Sequence, residues 1–310
     1  MIVPHPAFPP QDAGADMTAF ALLLILVAAF LHAGWNLAAK RAGSGLPFIF
    51  LAGLIINVLY VPVLAVYLGW RQPDLSWSMA GPVVVSSLLK TGYAIFLQRA
   101  YRSGDFSLVY PLTRGSGPLL ATLGAILWLG ERPTWLGAAG GLLIVASIFL
   151  LTGGERLWQR KAMIGPATPA VGPAVRNALI TGTFIAAYTV WDRYSVSDRA
   201  IPPVLFDAGT AFVMSALLAP FAWRRRAEIR EEWRIHRPEA LTMATLSPLG
   251  YVLVLTAMTF TPVSYVAPAR EFSILIGAFL GARFLKERAS PRRLWAATGM
   301  VLGLFALALA

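Results

Sequence analysis

The chain has 310 residues, of which 57% are hydrophobic and 13% charged, with a formal net charge of +11 and a mean hydropathy of +0.65. Soluble domains carry about 25% charged residues, so this composition excludes a soluble domain and indicates that most of the chain lies in lipid. The absence of cysteine excludes disulfides and thiolate chemistry, and no phosphate-loop, H-E-x-x-H or G-x-S-x-G motif occurs. Any transport must therefore draw on an ion or solute gradient rather than on ATP bound by this chain.

Residues 1–16 are rich in proline and contain no lysine or arginine. A secretory signal peptide begins with a basic region, so we predict a disordered tail here, with Met17 a candidate for the true start. Beyond the tail, ten stretches are apolar and near the length of about 20 residues that crosses a bilayer. The predicted spans, numbered 1 to 10, are 17–39, 46–70, 77–100, 106–130, 133–153, 175–197, 202–223, 239–260, 263–285 and 291–310.

The second half of the chain repeats the first. Arg114 and Arg270 are 156 residues apart, and so are Glu131 and Glu287. We predict a first repeat over 17–153, a linker over 154–174 and a second repeat over 175–310. Because each repeat holds an odd number of spans, the second enters the membrane from the opposite side. Inverted repeats are typical of secondary transporters, which bind substrate near the midplane between the halves.

Lysine and arginine are distributed unequally between the two membrane sides. The connections after the odd-numbered spans, with the adjoining helix ends, hold nineteen, and the opposite side holds four. Because positive charge favours the cytoplasmic side, we predict a bacterial inner-membrane protein with both termini outside and the Arg224–Arg237 segment in the cytoplasm. The Trp223-Arg224-Arg225-Arg226 run is either only a topology signal or also an anchor on anionic lipid.

Glycines four residues apart occur as Gly137-x-x-x-Gly141 in span 5 and Gly299-x-x-x-Gly303 in span 10. This spacing lets helix backbones approach closely. Packing within one chain is the simpler interpretation, and a homodimer through these faces is the alternative, so a monomer and a homodimer both stay open.

Three basic side chains lie inside apolar spans: Lys90 in span 3, Arg114 in span 4 and Arg270 in span 9. A charge at the bilayer centre costs at least about 2.5–3.5 kcal/mol, so these residues are candidates for substrate binding or gating. Arginine binds carboxylate and phosphate through two parallel hydrogen bonds. With Arg114 nearer the cytoplasm and Arg270 nearer the outer face, the two would flank a cavity for an anionic or zwitterionic solute.

The acidic residues offer a structural alternative. Asp207 and Glu271 are expected at a depth similar to Arg270, and Asp192 lies near the outer end of span 6. An Arg270–Asp207 pair would be either a permanent ion pair or a gate that opens in each cycle. Lys90 has no obvious acidic partner at its depth.

His32 and Asn36 share one face of span 1, where His32 either couples transport to protons or serves packing. Glu271 and Asp207 are the competing proton sites. Aromatic residues on these spans could line the cavity or only pack: Trp35, Tyr93, Tyr110, Trp191, Tyr251 and Tyr265. Breaks in spans 4, 8 and 9 are predicted at Pro111, Gly115, Pro118, Pro248 and Pro268, where binding sites often form; kinks for packing are the alternative.

The two five-span halves, the proline and arginine of span 4 and the pairs Gly130-Glu131 and Lys286-Glu287 resemble the EamA-like branch of the drug/metabolite transporter superfamily. In span 1, the segment His32-Ala33-Gly34-Trp35-Asn36-Leu37-Ala38-Ala39-Lys40 resembles a variant of the family's first-helix pattern. The resemblance covers the chain from Met17 and implies an all-α integral membrane protein of ten helices in two inverted repeats. It also implies export of amino acids, related metabolites or drugs. Family members are usually placed with cytoplasmic termini, whereas the charge distribution here predicts outside.

We therefore expect a gradient-driven secondary transporter that exports a small anionic or zwitterionic metabolite, such as an amino acid, an organic acid or a phosphorylated compound, by alternating access. Efflux of cationic drugs through a proton-coupled acidic site at Asp207 and Glu271 is the alternative. An intramembrane enzyme is a remote one, because Asp207, Glu271 and His32 are spread over three spans, and nothing resembles a channel filter. The expected partners are substrate, lipid and a proton or counter-solute; no cofactor, metal or nucleic acid is expected.

Overall fold

The computed structural model describes residues 17–42, 45–103, 106–152, 171–285 and 291–310, and the regular structure in these ranges is helical throughout. The predicted disordered tail and most of the predicted linker lie outside the described residues. The helices are α1 (Ala19–Arg41), α2 (Leu46–Arg71), α3 (Ala80–Ser103, after a 3₁₀ turn Trp77–Met79), α4 (Phe106–Trp128), α5 (Trp135–Thr152), α6 (Val171–Arg193, followed by a π-helical turn Tyr194–Asp198), α7 (Pro203–Trp223), α8 (Arg226–Ile235), α9 (Arg237–Met258), α10 (Val263–Arg270), α11 (Phe272–Leu285) and α12 (Pro291–Ala308).

The prediction of an all-α membrane protein with ten spans in two repeats is confirmed. Spans 1 to 7 are α1 to α7, span 8 is α9, span 9 is α10 together with α11, and span 10 is α12. Within the described ranges, five helical stretches are long and apolar enough to cross a membrane by length and composition alone: α1, α2, α3 with its 3₁₀ turn, α7 and α9. Shorter apolar helices lie in α5 and α12.

The surface of α1 shows how the spans divide between protein and lipid. Its buried positions are mostly alanine, among them Ala21, Ala28 and Ala33. Several of its large apolar side chains face outward, and Phe20 and Phe30 are 58% and 62% exposed. Small side chains let helices approach closely, while large ones meet lipid tails. This pattern is the one expected of a helix inside a membrane bundle.

The helix contacts follow the sequence repeat. α1 packs along α9, and α3 packs along α6. Because span 1 corresponds to span 6 and span 3 to span 8, these two contacts are the same contact made once from each half. α5 packs along α12, its own repeat partner. These contacts indicate that the two halves are related by an approximate twofold axis.

Glycines join α5 to α12. A Cβ atom on Gly140 would lie 2.8 Å from the carbonyl oxygen of Gly303, and a Cβ on Gly303 would lie 2.8 Å from the carbonyl oxygen of Gly140. These faces are occupied within one chain, which favours the simpler interpretation of packing within the chain; whether the protein is a monomer or a homodimer stays a prediction. Gly137 serves another contact, since a Cβ there would overlap the ring of Tyr265.

The predicted helix breaks, all at described positions, have different outcomes. α4 runs without interruption through Pro111 and Pro118, and α9 runs through Pro248, so these predictions are wrong. Neighbouring helices can satisfy the carbonyl that an intramembrane proline leaves free. Span 9 is interrupted as predicted, at Glu271, whose N–H donates to the carbonyl of Pro268 at 3.1 Å. The break sets a carboxylate at the junction of α10 and α11.

Gly115 does not break α4 either. A Cβ at this position would lie 2.2 Å from the ring of Phe149 on α5, so the glycine leaves room for that ring. The helix needs a small residue here for packing and stays continuous.

The 224–238 connection between predicted spans 7 and 8 contains the ten-residue helix α8. This helix is amphipathic, and Ile229 packs against the buried cluster that includes Phe48, near the start of α2. The other face carries charged residues such as Arg230 and Glu231. We call this end of the bundle the α8 end, and the end holding Glu131 and the α9–α10 turn the opposite end.

Candidate functional site

A cavity of about 280 Å³ lies between the two halves of the bundle. Side chains of α1 to α4 line it from the first half, and side chains of α6, α7, α9 and the α10–α11 region line it from the second. Its polar and aromatic lining consists of His32, Trp35, Lys90, Tyr93, Arg114, Tyr188, Asp207, Thr210, Ser215, Ser247, Tyr251, Arg270, Glu271 and Ser273. Ten of the predicted residues, counting Pro248, are thus brought to one place.

The cavity extends from this polar centre toward the α8 end. The apolar part of its lining includes Ile49, Phe50 and Ile56 of α2, Met214 and Leu218 of α7, and Met243 of α9. α2 and α9 begin at the α8 end, and α7 ends there. These residues therefore form an apolar passage between the polar centre and the α8 end.

Two arginines, one from each half, meet at Glu271. Nη1 of Arg114 lies 3.5 Å from Oε2 of Glu271, and Nη2 of Arg270 lies 3.5 Å from Oε1. The prediction that Arg114 and Arg270 stand at opposite depths is wrong, because the break at Glu271 brings both guanidinium groups to one carboxylate. With all three groups ionised the cluster carries a net charge of +1. The side chain of Arg114 is 24% exposed, against 7% for Arg270, so Arg114 is the more accessible arginine.

Lys90 lies in a buried ion pair, contrary to the prediction that it has no acidic partner. Its Nζ is 3.1 Å from Oδ2 of Asp192, whose side chain is fully buried. Asp192 also accepts hydrogen bonds from Ser86, at 2.5 Å, and from the hydroxyl of Tyr251. The ammonium lies 4.4 Å from the centre of the Tyr251 ring. The sequence missed the pair because the two residues lie on helices of different repeats.

Asp207 is held by a tyrosine rather than by an arginine. The Tyr60 hydroxyl donates to Oδ2 of Asp207 at 2.5 Å. In the part of the chain that the structure describes, no cation lies within ion-pair distance of this carboxylate. The suggested Arg270–Asp207 pair is therefore wrong, since Arg270 faces Glu271. An ionised Asp207 would place a negative charge in the cavity wall, apart from the arginine cluster.

His32 and Trp35 line the cavity, whereas Asn36 does not. Nδ1 of His32 lies 2.8 Å from the carbonyl oxygen of Ala28, and because a carbonyl only accepts, Nδ1 is the donor. Asn36 donates to the backbone carbonyl of His32 at 2.6 Å, a local contact. The indole N–H of Trp35 is buried and has no hydrogen-bond acceptor among the described residues.

Three tyrosines form an aromatic wall around the charges. Tyr93 and Tyr251 line the cavity, and so does Tyr188, which the sequence analysis missed. The rings of Tyr93 and Tyr188 meet edge to face with centroids 5.9 Å apart. Tyr188 follows His32 by 156 residues, so the repeat offset contained a signal for it.

The other predicted aromatic residues lie outside the lining. Tyr110 lies beneath Arg114, with the guanidinium carbon 5.7 Å from the ring centre. Trp191 donates through its indole nitrogen to the carbonyl of Pro82 at 2.9 Å. Tyr265 accepts a hydrogen bond from the backbone N–H of Thr134 at 3.0 Å. These contacts fix helices around the cavity.

Glu131 joins the two halves at the opposite end. Its carboxylate accepts hydrogen bonds from the backbone N–H groups of Val263, at 2.7 Å, and Ser264, at 2.9 Å. These amides begin α10, and the first amides of a helix need an external acceptor. The repeat marked Glu131 in the sequence, but nothing there indicated this role. Its repeat partner Glu287 lies outside the described residues.

Comparison with known proteins gives two findings. The model of a family described as the EamA-like transporter family matches the chain twice, over residues 19–153 and 173–309. One solved structure, titled only "Crystal structure of protein", is similar to this chain at 20% sequence identity and a TM-score of 0.69. The match covers 93% of this chain and 98% of that one. At this identity the likeness concerns the fold alone.

Proposed function

Because the chain belongs to the EamA-like transporter family, whose members are membrane transporters of small molecules, we propose that it exports a zwitterionic metabolite, namely an amino acid with an apolar side chain. The observation that carries the proposal is the separation of opposite charges within one cavity. The Arg114–Glu271–Arg270 cluster is net positive, and Asp207 is a carboxylate without an ion-pair partner among the described residues.

The arginine cluster suits a carboxylate. Its contacts of 3.5 Å are longer than the 2.7–2.9 Å of a good charge-assisted hydrogen bond. For Arg114 to turn from Glu271 to an incoming carboxylate, only this long contact with Glu271 has to be given up at the cluster. Trp35 also lines this cavity, and its buried indole N–H has no acceptor among the described residues.

The other charges suit an ammonium group. Lys90 is already neutralised by Asp192, which leaves Asp207 as the carboxylate for a substrate cation. Tyrosine rings attract cations through their faces, and Tyr188 and Tyr251 lie in the same wall. An α-amino acid carries both charges on one carbon, and the apolar passage toward the α8 end would hold its side chain.

The size of the cavity favours a metabolite over a drug. Ligand pockets usually measure about 300–1,000 Å³, and this cavity of about 280 Å³ lies just below that range. The competing function, proton-coupled efflux of cationic compounds through Asp207 and Glu271, is disfavoured because Glu271 lies between two arginines. Asp207 alone remains available to a cation.

Transport would proceed by alternating access, driven by a proton or counter-solute gradient. The cavity extends toward the α8 end, where the excess of lysine and arginine favours the cytoplasm. The Glu131 cap at the opposite end and the Lys90–Asp192 pair nearer the centre join the two halves on that side of the cavity. The substrate would therefore enter from the cytoplasm of a bacterial cell and leave once these contacts open, with both termini on the outer side.

A thermal-stability screen tests the proposal, because a ligand that binds only the folded state raises the unfolding temperature. The ligands are leucine, its desamino acid, its decarboxylated amine, a sugar phosphate and a cationic dye. We expect leucine to stabilise the wild type most. Arg114→Gln should lose that stabilisation, whereas Arg132→Gln, at an exposed position on the opposite end, should keep it. Stabilisation by the dye alone, equal in wild type and Arg114→Gln, would favour the cationic alternative.

A further inference from the structure

A groove lies outside the central cavity, between α3 and α6. It has a volume of about 460 Å³ and is lined by Phe96, Arg99, Arg102, Arg176, Asn177 and Ile180. None of these residues lines the central cavity. The groove is at the α8 end, because α3 ends there and α6 begins there.

Three arginines give the groove a strong positive charge. Arg99 and Arg102 are three residues apart on α3, which places them on neighbouring positions of one helix face. Arg176 approaches from α6, next to the polar side chain of Asn177. All three arginines are exposed, and none forms an ion pair with a carboxylate of the described residues. The guanidinium groups are therefore available to an external anion.

Aromatic rings close the groove on the side of the membrane core. Phe96 stacks on Phe184 of α6 with centroids 5.5 Å apart, and both residues lie deeper in their helices than the arginines. The guanidinium carbon of Arg99 is 5.1 Å from the centre of the Phe96 ring, which holds the charge at the edge of this apolar floor. Arg99 is four residues from the end of α3, about 6 Å along the helix axis. With the end of α3 at the membrane surface, this distance would place Arg99 within the headgroup layer of a bilayer.

We propose that this groove binds the phosphodiester headgroup of an anionic phospholipid. Arginine recognises phosphate through paired hydrogen bonds, and basic pockets between membrane helices accept such headgroups. The apolar floor of Phe96 and Ile180 lies where the acyl chains of a lipid would begin, and a soluble phosphate has no chain to place there. Because α3 and α6 belong to different repeats, the bound lipid would bridge the two halves of the transporter.

Native mass spectrometry of the full chain, released from micelles that contain phosphatidylglycerol and phosphatidylcholine, measures this binding directly. Removing one basic residue weakens binding to an anionic surface about fivefold. We therefore expect Arg99→Gln/Arg176→Gln to retain phosphatidylglycerol roughly 25-fold less than the wild type, with phosphatidylcholine unchanged. The control Arg230→Gln/Arg234→Gln removes two exposed arginines of α8 at the same end and should retain phosphatidylglycerol like the wild type.

Two results would overturn the proposal. Equal loss of phosphatidylglycerol in both double variants would mean a diffuse attraction to the basic end of the protein rather than a site. Displacement of phosphatidylglycerol by glycerol 3-phosphate at a similar concentration would mean a site for soluble phosphate esters. Unfolding temperatures of both variants in phosphatidylcholine alone show whether each remains folded.

Discussion

Replacing Glu131 by glutamine should open the end of the bundle opposite α8. The carboxylate accepts two backbone hydrogen bonds, from Val263 at 2.7 Å and Ser264 at 2.9 Å, and places a negative charge at the start of α10. Glutamine keeps one acceptor oxygen and loses the charge. Hydrogen bonds to charged groups contribute about 1.5–3 kcal/mol and neutral ones about 0.5–1.5 kcal/mol. The closed state therefore loses about 2 kcal/mol, which shifts the balance toward the open state about 30-fold.

Thiol labelling can measure that shift because the chain contains no cysteine. Thr261 is fully buried in the turn between α9 and α10, so a Thr261→Cys thiol reacts with a membrane-impermeant maleimide only when this end opens. We expect its labelling rate to rise about 30-fold in Glu131→Gln. Glu228→Gln, at an exposed position of α8, is the matched control and should leave the rate unchanged.

A second thiol separates gating from general loosening of the fold. Ala244 on α9 is also fully buried but lies toward the α8 end. An Ala244→Cys thiol should label no faster in Glu131→Gln than in the wild type. An unchanged rate at Thr261→Cys, or an equal rise at both thiols, would refute the assignment of Glu131 to closure of the opposite end.

Two further predictions concern stability, measured by unfolding of the purified protein in detergent. Asp192→Asn leaves Lys90 buried without its carboxylate and should lower the free energy of unfolding by about 3–5 kcal/mol. The double variant Lys90→Met/Asp192→Asn should recover part of that loss. No recovery would contradict the ion pair. Gly140→Ala should lower the free energy of unfolding by about 1–3 kcal/mol, because its Cβ would meet the backbone of α12. The control Gly81→Ala places a Cβ that meets nothing within 4 Å and should lower it much less. Equal losses would contradict the packing of α5 on α12.

The spans were predictable because hydropathy along the chain reports the lipid environment directly. The break in span 9 was predictable only in part. Pro118 and Pro268 give the same local signal, yet α4 continues through the first and span 9 stops three residues after the second. Whether a proline breaks a membrane helix depends on the neighbours that satisfy its free carbonyl. A single sequence does not contain those neighbours.

The charged residues of the cavity were also predictable, because a charge inside an apolar span is costly and is found mainly where it is paired or functional. Their partners were not. Lys90 pairs with Asp192 on a helix of the other repeat, and Asp207 is held by Tyr60, which carried no signal of its own. Such pairs depend on helix crossing and on side-chain reach. Tyr188 could have been predicted, since it occupies the position of His32 in the second repeat.

We propose that the cavity binds the carboxylate of its substrate at the Arg114–Glu271–Arg270 cluster and the ammonium group at Asp207. Binding of two matched ligands to an Asp207 variant tests this assignment most directly. Calorimetry would give the affinities of leucine and its desamino acid for the wild type and for Asp207→Asn. A charged hydrogen bond contributes about 1.5–3 kcal/mol, so leucine should lose roughly 10- to 100-fold in affinity while the desamino acid loses little. Equal losses for both ligands, or none for leucine, would contradict a zwitterion site at Asp207.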